Sequence, residues 1–259
     1  MSRPRIMAAP NGARRSKADH PALPITLDET LITAQACHAA GADALHLHIR
    51  DTAGGHSLDA GAYREALAEL AYAAPALSVQ ITTEAAGVFD VAAQMQCLEQ
   101  VQPAWASISV REIARDTDLA DRIYGICAAN DTKVQHILYD LEDHAQLKLW
   151  QRAGTVRAGQ TDMLFVLGRY LTDRSSRASD LDPFLTLDLA SKNWMVCAFG
   201  PGEHDCLYHA AQMGGDLRVG LENSLAGPHA TPWPDCAASV ATLAARVAHL
   251  NPHPLSIEG

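Results

Sequence analysis

The chain has 259 residues with 30 acidic against 20 basic side chains, a formal charge of -10, and no Lys/Arg-rich run, which argues against nucleic acid or an anionic membrane as its main partner and favours a small molecule. The length suits one large barrel or two modest domains, with a sizeable core in either case. The opening MSRPRIMAAPNGARRSK has early positive charge but no apolar stretch of signal-peptide length, and no later run is long and apolar enough to span a bilayer, so a soluble cytoplasmic protein is expected.

Short β-branched runs alternate along the chain with longer Ala/Leu-rich helical runs. The first strand is predicted at RIMAA (5–9). A helix then starts at Thr26, which forms a capping box with Glu29 after Pro24; Ile32, Ala36, Ala39 and Ala40 make its predicted apolar face, and Gly41 ends it. Further strands are predicted at ALHLHI (44–49), LSVQIT (77–82), WASISV (105–110), KVQHILY (133–139), MLFVL (163–167), WMVCAF (194–199) and LRVGL (217–221), each followed by a helical pattern. The seventh helix is legible from Leu207, Ala210, Ala211 and Gly214, with Gly214 and Gly215 as its stop. Eight such units, undivided by a Pro/Ser-rich linker, low-complexity tract or repeat, point to an α/β fold: a (β/α)8 TIM barrel forming a single domain over residues 1–259. Cys37, Cys97, Cys127, Cys197, Cys206 and Cys236 contain no CxxC pair and sit among apolar residues, so buried reduced thiols without a functional role are expected.

Barrel enzymes place their chemistry at the C-terminal ends of the strands, so polar residues there become candidates. They are Asn11 and Arg14 after strand one; His46, His48 and Arg50 at strand two; and Thr82, Thr83 and Glu84 after strand three. Ser107 and Ser109 fall on strand four and Asp140 after strand five. Gly200 and His204 follow strand seven, and Arg218, Glu222 and Asn223 belong to strand eight and its end. His46 and His48 are two apart and share one strand face, while Leu45, Leu47 and Ile49 share the other. The apolar face belongs against the helices, which turns both imidazoles into the barrel, where they need partners. A divalent metal is one answer, and core histidines bonded to carboxylates are the other. The sequence GLENS ends strand eight with Glu222, and barrel closure brings strand eight two places from strand two. Two histidines and a glutamate make a catalytic zinc set with an open position. The structural alternative for Glu222 is an ion pair with Arg50 or Arg218.

NGARRSKADHPALPIT, AGADALHLHIRD, VQITTE, MLFVLG, NWMVCAFG and GGDLRVGLENS together, in order from about residue 7 to 225, resemble the β-keto acid cleavage enzymes, the family typified by 3-keto-5-aminohexanoate cleavage enzyme. The resemblance implies a divalent metal, usually zinc, held by His46, His48 and Glu222. It also implies acetyl-CoA as co-substrate in a Claisen-type exchange that turns a β-keto acid and acetyl-CoA into acetoacetate and a new acyl-CoA. By the same resemblance, Arg218 helps hold the base or the developing oxyanion, Thr82 contacts substrate, and the chain forms a homotetramer. Thr83, Ser107 and Ser109 would line the same mouth; the alternative for all four hydroxyls is capping of backbone groups.

Two departures from the family pattern stand out. The last-strand Glu-Asp of the family reads Glu222-Asn223 here, and an amide has no basic oxygen at neutral pH. Either another carboxylate, with Glu84 the nearest by motif, takes the proton, or the reaction is altered or lost. The family acid that recognises the substrate amine after strand one is Arg14 here, which disfavours a cationic tail and suits a carboxylate or neutral polar one. Arg14 beside Arg15 and Lys17 is otherwise a solvated arginine, and Glu84 could pair with it. The rivals to the exchange reaction are a metal-dependent aldolase or isomerase without coenzyme A, and a catalytically silent barrel that binds a keto acid.

Overall fold

A computed structural model describes residues 3–168, 175–189, 193–227 and 230–250. Eight strands form a closed parallel barrel: β1 (Ile6–Ala8), β2 (Ala44–Leu47), β3 (Ser78–Thr82), β4 (Trp105–Ser109), β5 (Lys133–Leu138), β6 (Asp162–Leu167), β7 (Trp194–Ala198) and β8 (Asp216–Val219). Each pairs with its neighbours in sequence, and β8 closes on β1 with Met7 opposite Arg218. The expected α/β barrel is therefore the observed fold.

The strand alternation produces two separate apolar clusters. Leu45, Leu47 and Ile49 pack outward into the large layer between strands and helices, together with Ile81, Ile108, Phe165 and Leu217. The inward set is smaller, formed by Met7, Ala44, Trp105, Ile137, Leu164, Val166, Met195 and Cys197. Ala44 is inward, so His46 two residues later is inward as well.

Helices α1 (Leu27–Ala39), α2 (Ala60–Ala73), α3 (Val91–Val101), α4 (Val110–Ile113), α5 (Thr117–Ala129), α6 (Leu141–Ala153), α7 (Asp182–Leu185), α8 (Glu203–Gln212) and α9 (Cys236–Val247) connect and close the barrel. The Thr26–Glu29 capping box forms as predicted. A hydrogen bond from Lys17, with further bonds from the backbone of Ile25 and Thr26, pulls the Glu29 pKa down to about 2. Leu207, Ala210 and Ala211 are all buried on α8. All six cysteines are free and buried.

Three expectations are corrected. The buried face of α1 is Thr30, Ala34 and Cys37, while Ile32 is 66% exposed. Small side chains let α1 pack closely on α9, where Cys37 meets Cys236, and this contact outweighs the single large apolar side chain. The run ALHLHI is also interrupted: β2 stops at Leu47, and Ile49–Arg50 pairs antiparallel with His56–Ser57 in a small hairpin. Asp51 shapes that turn, its Oδ1 accepting from the Ala53 and Gly55 amides. After β6 the described residues carry only a 3-10 turn (Ala178–Leu181) and the single turn α7, and residues 169–174 of the predicted helical pattern lie outside the described ones. No helix among the described residues is long and apolar enough to cross a membrane.

Candidate active site

The inward alternation that buries Met7 and Ala44 low in the barrel carries His46, His48 and Arg218 to its C-terminal mouth. His46 and His48 are each 1% exposed, and their Nε2 atoms stand 3.1 Å apart. Glu222 Oε2 lies 3.8 Å from His46 Nε2 and 3.7 Å from His48 Nε2. Donor atoms around a tetrahedral zinc ion with ~2.0–2.2 Å bonds are separated by roughly 3.3–3.6 Å, so the three fit a divalent ion with little adjustment. Among the described residues, these three form the one cluster of His, Cys, Asp or Glu compact enough for an ion, all three of them buried.

The ring orientations support the same use. His46 Nδ1 lies 2.8 Å from Gln80 Oε1, an oxygen that only accepts, so Nδ1 carries the proton and Nε2 presents its lone pair. Gln80 is fixed in turn, since its Nε2 donates to Gln135 Oε1 on β5. Burial, and the neighbouring His46, His56, Arg218 and Arg50, push the His48 pKa well below the ordinary imidazole value, which keeps that ring neutral. A neutral ring is the form that binds a metal.

Glu222 reaches this position through close backbone packing. Its amide donates to Ala9 O, and the first loop passes tightly over its side chain at Gly12, where φ is 64° and a Cβ would come within 2.5 Å of Glu222 Cγ. Only glycine meets both demands at low cost. Arg50 clamps the same loop by donating to Gly12 O and Arg15 O, as well as to Gly54 O. Its two terminal guanidinium nitrogens are thus committed to carbonyls, and Arg218 pairs with Glu222 at 3.4 Å.

The remaining candidates divide into two groups. Thr82, Glu84 and Ser109 line a small cavity with His46, Arg218 and Glu222, and Glu112, Ile137, Tyr139 and Val166 complete its wall. Thr83 and Ser107 serve backbone, with Thr83 Oγ1 donating to Ser107 O at 3.1 Å and Ser107 Oγ facing Ile81 O at 3.5 Å, and Thr82 Oγ1 also accepts from Glu84 N at 3.0 Å. Arg14 is largely exposed, with Nε 3.9 Å from Glu84 Oε1, and it lines a neighbouring cavity of about 390 Å³ with Asn11, Arg15, Phe199 and Glu222. Asp140 caps α6 and pairs with Arg111. His204 lies on α8, bonded to Ser239 and stacked on Trp233, on the helical side of the barrel.

Asn223 is fully buried and acts as a donor. Its Nδ2 gives hydrogen bonds to Glu203 Oε1 and Arg218 O, both at 3.1 Å. Two acceptors face that one amide nitrogen, and a carboxylate oxygen in its place would meet both of them without a proton to offer. Burial raises the Glu203 pKa well above the ordinary carboxylate value, although Gly220 N and Asn223 donate to it.

Sequence reasoning misses Gln80, Glu112 and Arg15. Gln80 carries a usable signal, since it is polar and two residues before Thr82, on the same face of the same strand. Arg15 is the immediate neighbour of Arg14, and it is this arginine that donates to Leu221 O and Asn223 O and ties the first loop to the end of β8. Glu112 lies past the end of β4, where strand alternation no longer indicates direction.

A parallel (β/α)8 barrel with a buried His2Glu donor set at the C-terminal mouth defines a barrel enzyme architecture suited to a divalent metal. The sequence matches the beta-keto acid cleavage enzyme family over residues 5–258, and the chain belongs to that family. It is 26% identical over 250 residues to the 3-oxoadipate:acetyl-CoA acetyltransferase of Cupriavidus necator, an alignment covering 93% of this chain and 87% of that protein. It is 26% identical over 230 residues to the 3-keto-5-aminohexanoate cleavage enzyme of Fusobacterium nucleatum, covering 85% of this chain and 82% of that one. Among solved structures, the apo form of ObcA superposes with a TM-score of 0.64 at 16% identity; the match covers 88% of this chain and 62% of the other, and shows a shared fold.

Proposed function

We propose that this enzyme exchanges acyl groups between a β-keto acid and acetyl-CoA, yielding acetoacetate and a new acyl-CoA, with zinc held by His46, His48 and Glu222. The observation that carries the reading is the compact, buried His46–His48–Glu222 set at the mouth of a family member's barrel, with Arg218 against it. A bound divalent ion would supply a Lewis acid that polarises the oxygens of the keto acid.

The chain's own residues account for the rest. Gln80 and the Gly12 loop hold His46 and Glu222 in place, so little reorganisation is needed when charge develops. Arg218, buried beside Glu222, stabilises the negative charge that forms on oxygen when a proton leaves the carbon between ketone and carboxylate. That carbon attacks the acetyl thioester and releases coenzyme A as thiolate. The thiolate then attacks the original ketone, and the carbon-carbon bond breaks. Thr82 and Ser109 are positioned to orient substrate, and a carboxylate of the mouth takes the proton, Glu84 being the candidate from the sequence. Arg14 and Arg15 together make the neighbouring cavity cationic, which favours a β-keto acid with an anionic or neutral tail over one with an ammonium group.

Asn223 favours a second reading, a barrel that binds a keto acid without turning it over, because a buried amide donor cannot serve as base. One experiment separates the two. The zinc-loaded protein is incubated with acetyl-CoA and a panel of β-keto acids, among them 3-oxoadipate and 3-keto-5-aminohexanoate, and acetoacetate is measured. Acetoacetate formation, greater with 3-oxoadipate, supports the exchange reaction and the tail preference. Binding of keto acids with no acetoacetate from any of them leaves the silent barrel.

A further inference from the structure

Proton movement is the open step of the proposed exchange, and a carboxylate that strand patterning does not single out is built for it. Glu112 stands on α4, one turn past β4, and lines the same cavity as His46, Glu84, Arg218 and Glu222. Its Oε2 accepts from Ala85 N and from Gln94 Nε2, both at 2.9 Å. Gln94 is immobilised as well: its Nε2 also donates to Thr83 O, and its Oε1 accepts from Arg115. Both bonds to Glu112 end on one oxygen, Oε2, and fix the carboxylate at the wall of the cavity. A general base needs both fixed geometry and an adequate proton affinity.

Glu84 and Glu112 have different surroundings. Glu84 lies 3.9 Å from Arg14 Nε and 4.0 Å from His48 Nε2, on the cationic side and against the proposed ion. The cation that acts on Glu112 is Arg115, which donates to the Glu112 backbone carbonyl at 2.8 Å and to Gln94 Oε1 at 3.0 Å. Burial, first, pushes the Glu112 pKa above the ordinary glutamate range; the bond from Ala85 pulls it back, and the charge of Glu84 raises it again.

We propose that Glu112 is the acid–base residue of this site, taking the proton from the carbon between ketone and carboxylate of the β-keto acid and returning it to the same carbon of the released acetoacetate. The assignment rests on the exchange reaction proposed above, and its steps balance. The C–H bond breaks to Glu112, a carbon-carbon bond forms to the acetyl carbonyl, and the C–S bond of acetyl-CoA breaks to thiolate. The thiolate forms a new C–S bond at the original ketone, the old carbon-carbon bond breaks, and the resulting carbanion takes back the proton. No oxidant or reductant enters.

The test is deuterium exchange at the carbon between ketone and carboxylate of 3-oxoadipate, followed by NMR with the zinc-loaded full chain and no acetyl-CoA. Wild type should exchange faster than the spontaneous rate. Glu112→Gln should exchange about a hundredfold more slowly or worse, with zinc content, melting temperature and 3-oxoadipate affinity by calorimetry unchanged, and Glu112→Asp should recover part of the rate. Glu84→Gln should fall by a smaller factor. A second measurement needs no turnover: in metal-free protein carrying 13C-labelled glutamate carboxyls, a resonance besides that of Glu203 titrates above the ordinary glutamate range and is missing from Glu112→Gln. The proposal is overturned if Glu112→Gln exchanges at the wild-type rate, if Glu84→Gln loses more than Glu112→Gln, or if that resonance is absent. If Glu112→Gln exchanges normally while wild type makes acetoacetate, the exchange reaction stands and only this assignment fails. Wild type that neither exchanges deuterium nor makes acetoacetate removes both.

Discussion

The inward faces of the barrel strands differ sharply between floor and mouth. On the floor, Met7, Ala44, Trp105, Leu164 and Met195 pack as an apolar cluster. A few residues further along the strands and their ends, the same inward direction is taken by His46, His48, Thr82, Ser109 and Arg218, with Glu84, Glu112 and Glu222 closing over them. One alternation rule places the floor and the strand residues of the mouth, whereas Glu84, Glu112 and Glu222 lie past the strand ends. The floor stabilises by removing carbon from water, whereas the mouth buries polar and charged groups at a cost that only partners offset. Floor substitutions should therefore change stability and spare binding, and mouth substitutions should do the reverse.

The largest break in that contrast comes from His46→Ala combined with His48→Ala. Zinc content by mass spectrometry should fall from about one per chain to background, and acetoacetate formation should vanish, while the metal-free protein melts within a few degrees of wild type. Full zinc occupancy in this variant would remove the proposed site. On the floor, Leu164→Ala should cost about 2–5 kcal/mol in urea unfolding by leaving a cavity, with zinc stoichiometry intact. Loss of zinc alongside stability would mean that floor and mouth are not separable.

Gln80→Leu sharpens the boundary, because Gln80 stands between the two layers and orients His46. Zinc affinity measured against a competing chelator should drop about 10–100-fold, and an unchanged affinity would make Gln80 merely a packed side chain. The smallest expected effect is at Asn223→Asp. Placing an acceptor against Glu203 Oε1 and Arg218 O should destabilise the fold by about 1–3 kcal/mol without raising turnover. Increased acetoacetate production would show that position 223 still addresses the substrate.

Much of this site is legible in the sequence. HxH on a strand whose alternate residues are Leu, Leu and Ile has one sensible orientation, and GLENS at the last strand brings Glu222 within reach once the barrel closes. Arg218 is tied to the same strand register. The four hydroxyls are less decidable, since Thr82 and Thr83 differ by one residue and the rotation at the strand end decides which faces the mouth. Glu112 is beyond the reach of strand periodicity because α4 begins directly at Val110, where the period of two ends and a single helical turn sets a new direction. Asn223 reads in the sequence as a lost base. Its role as a donor depends on Glu203, 20 residues earlier in sequence but 3.1 Å away in space.

Sequence alone determined the eight strands, their inward and outward faces, the Thr26 cap and the His46–His48–Glu222 set, because each follows from local periodicity combined with the closure of a parallel barrel. Tertiary structure decided which face α1 buries, where β2 breaks, which arginine stands beside Glu222 and which carboxylates share the cavity with the histidines. Those outcomes depend on contacts between segments distant in sequence: Cys37 with Cys236, Gly12 with Glu222, and Glu112 with Ala85 and Gln94. Such contacts compete within a few kcal/mol of one another, and no local pattern encodes the winner.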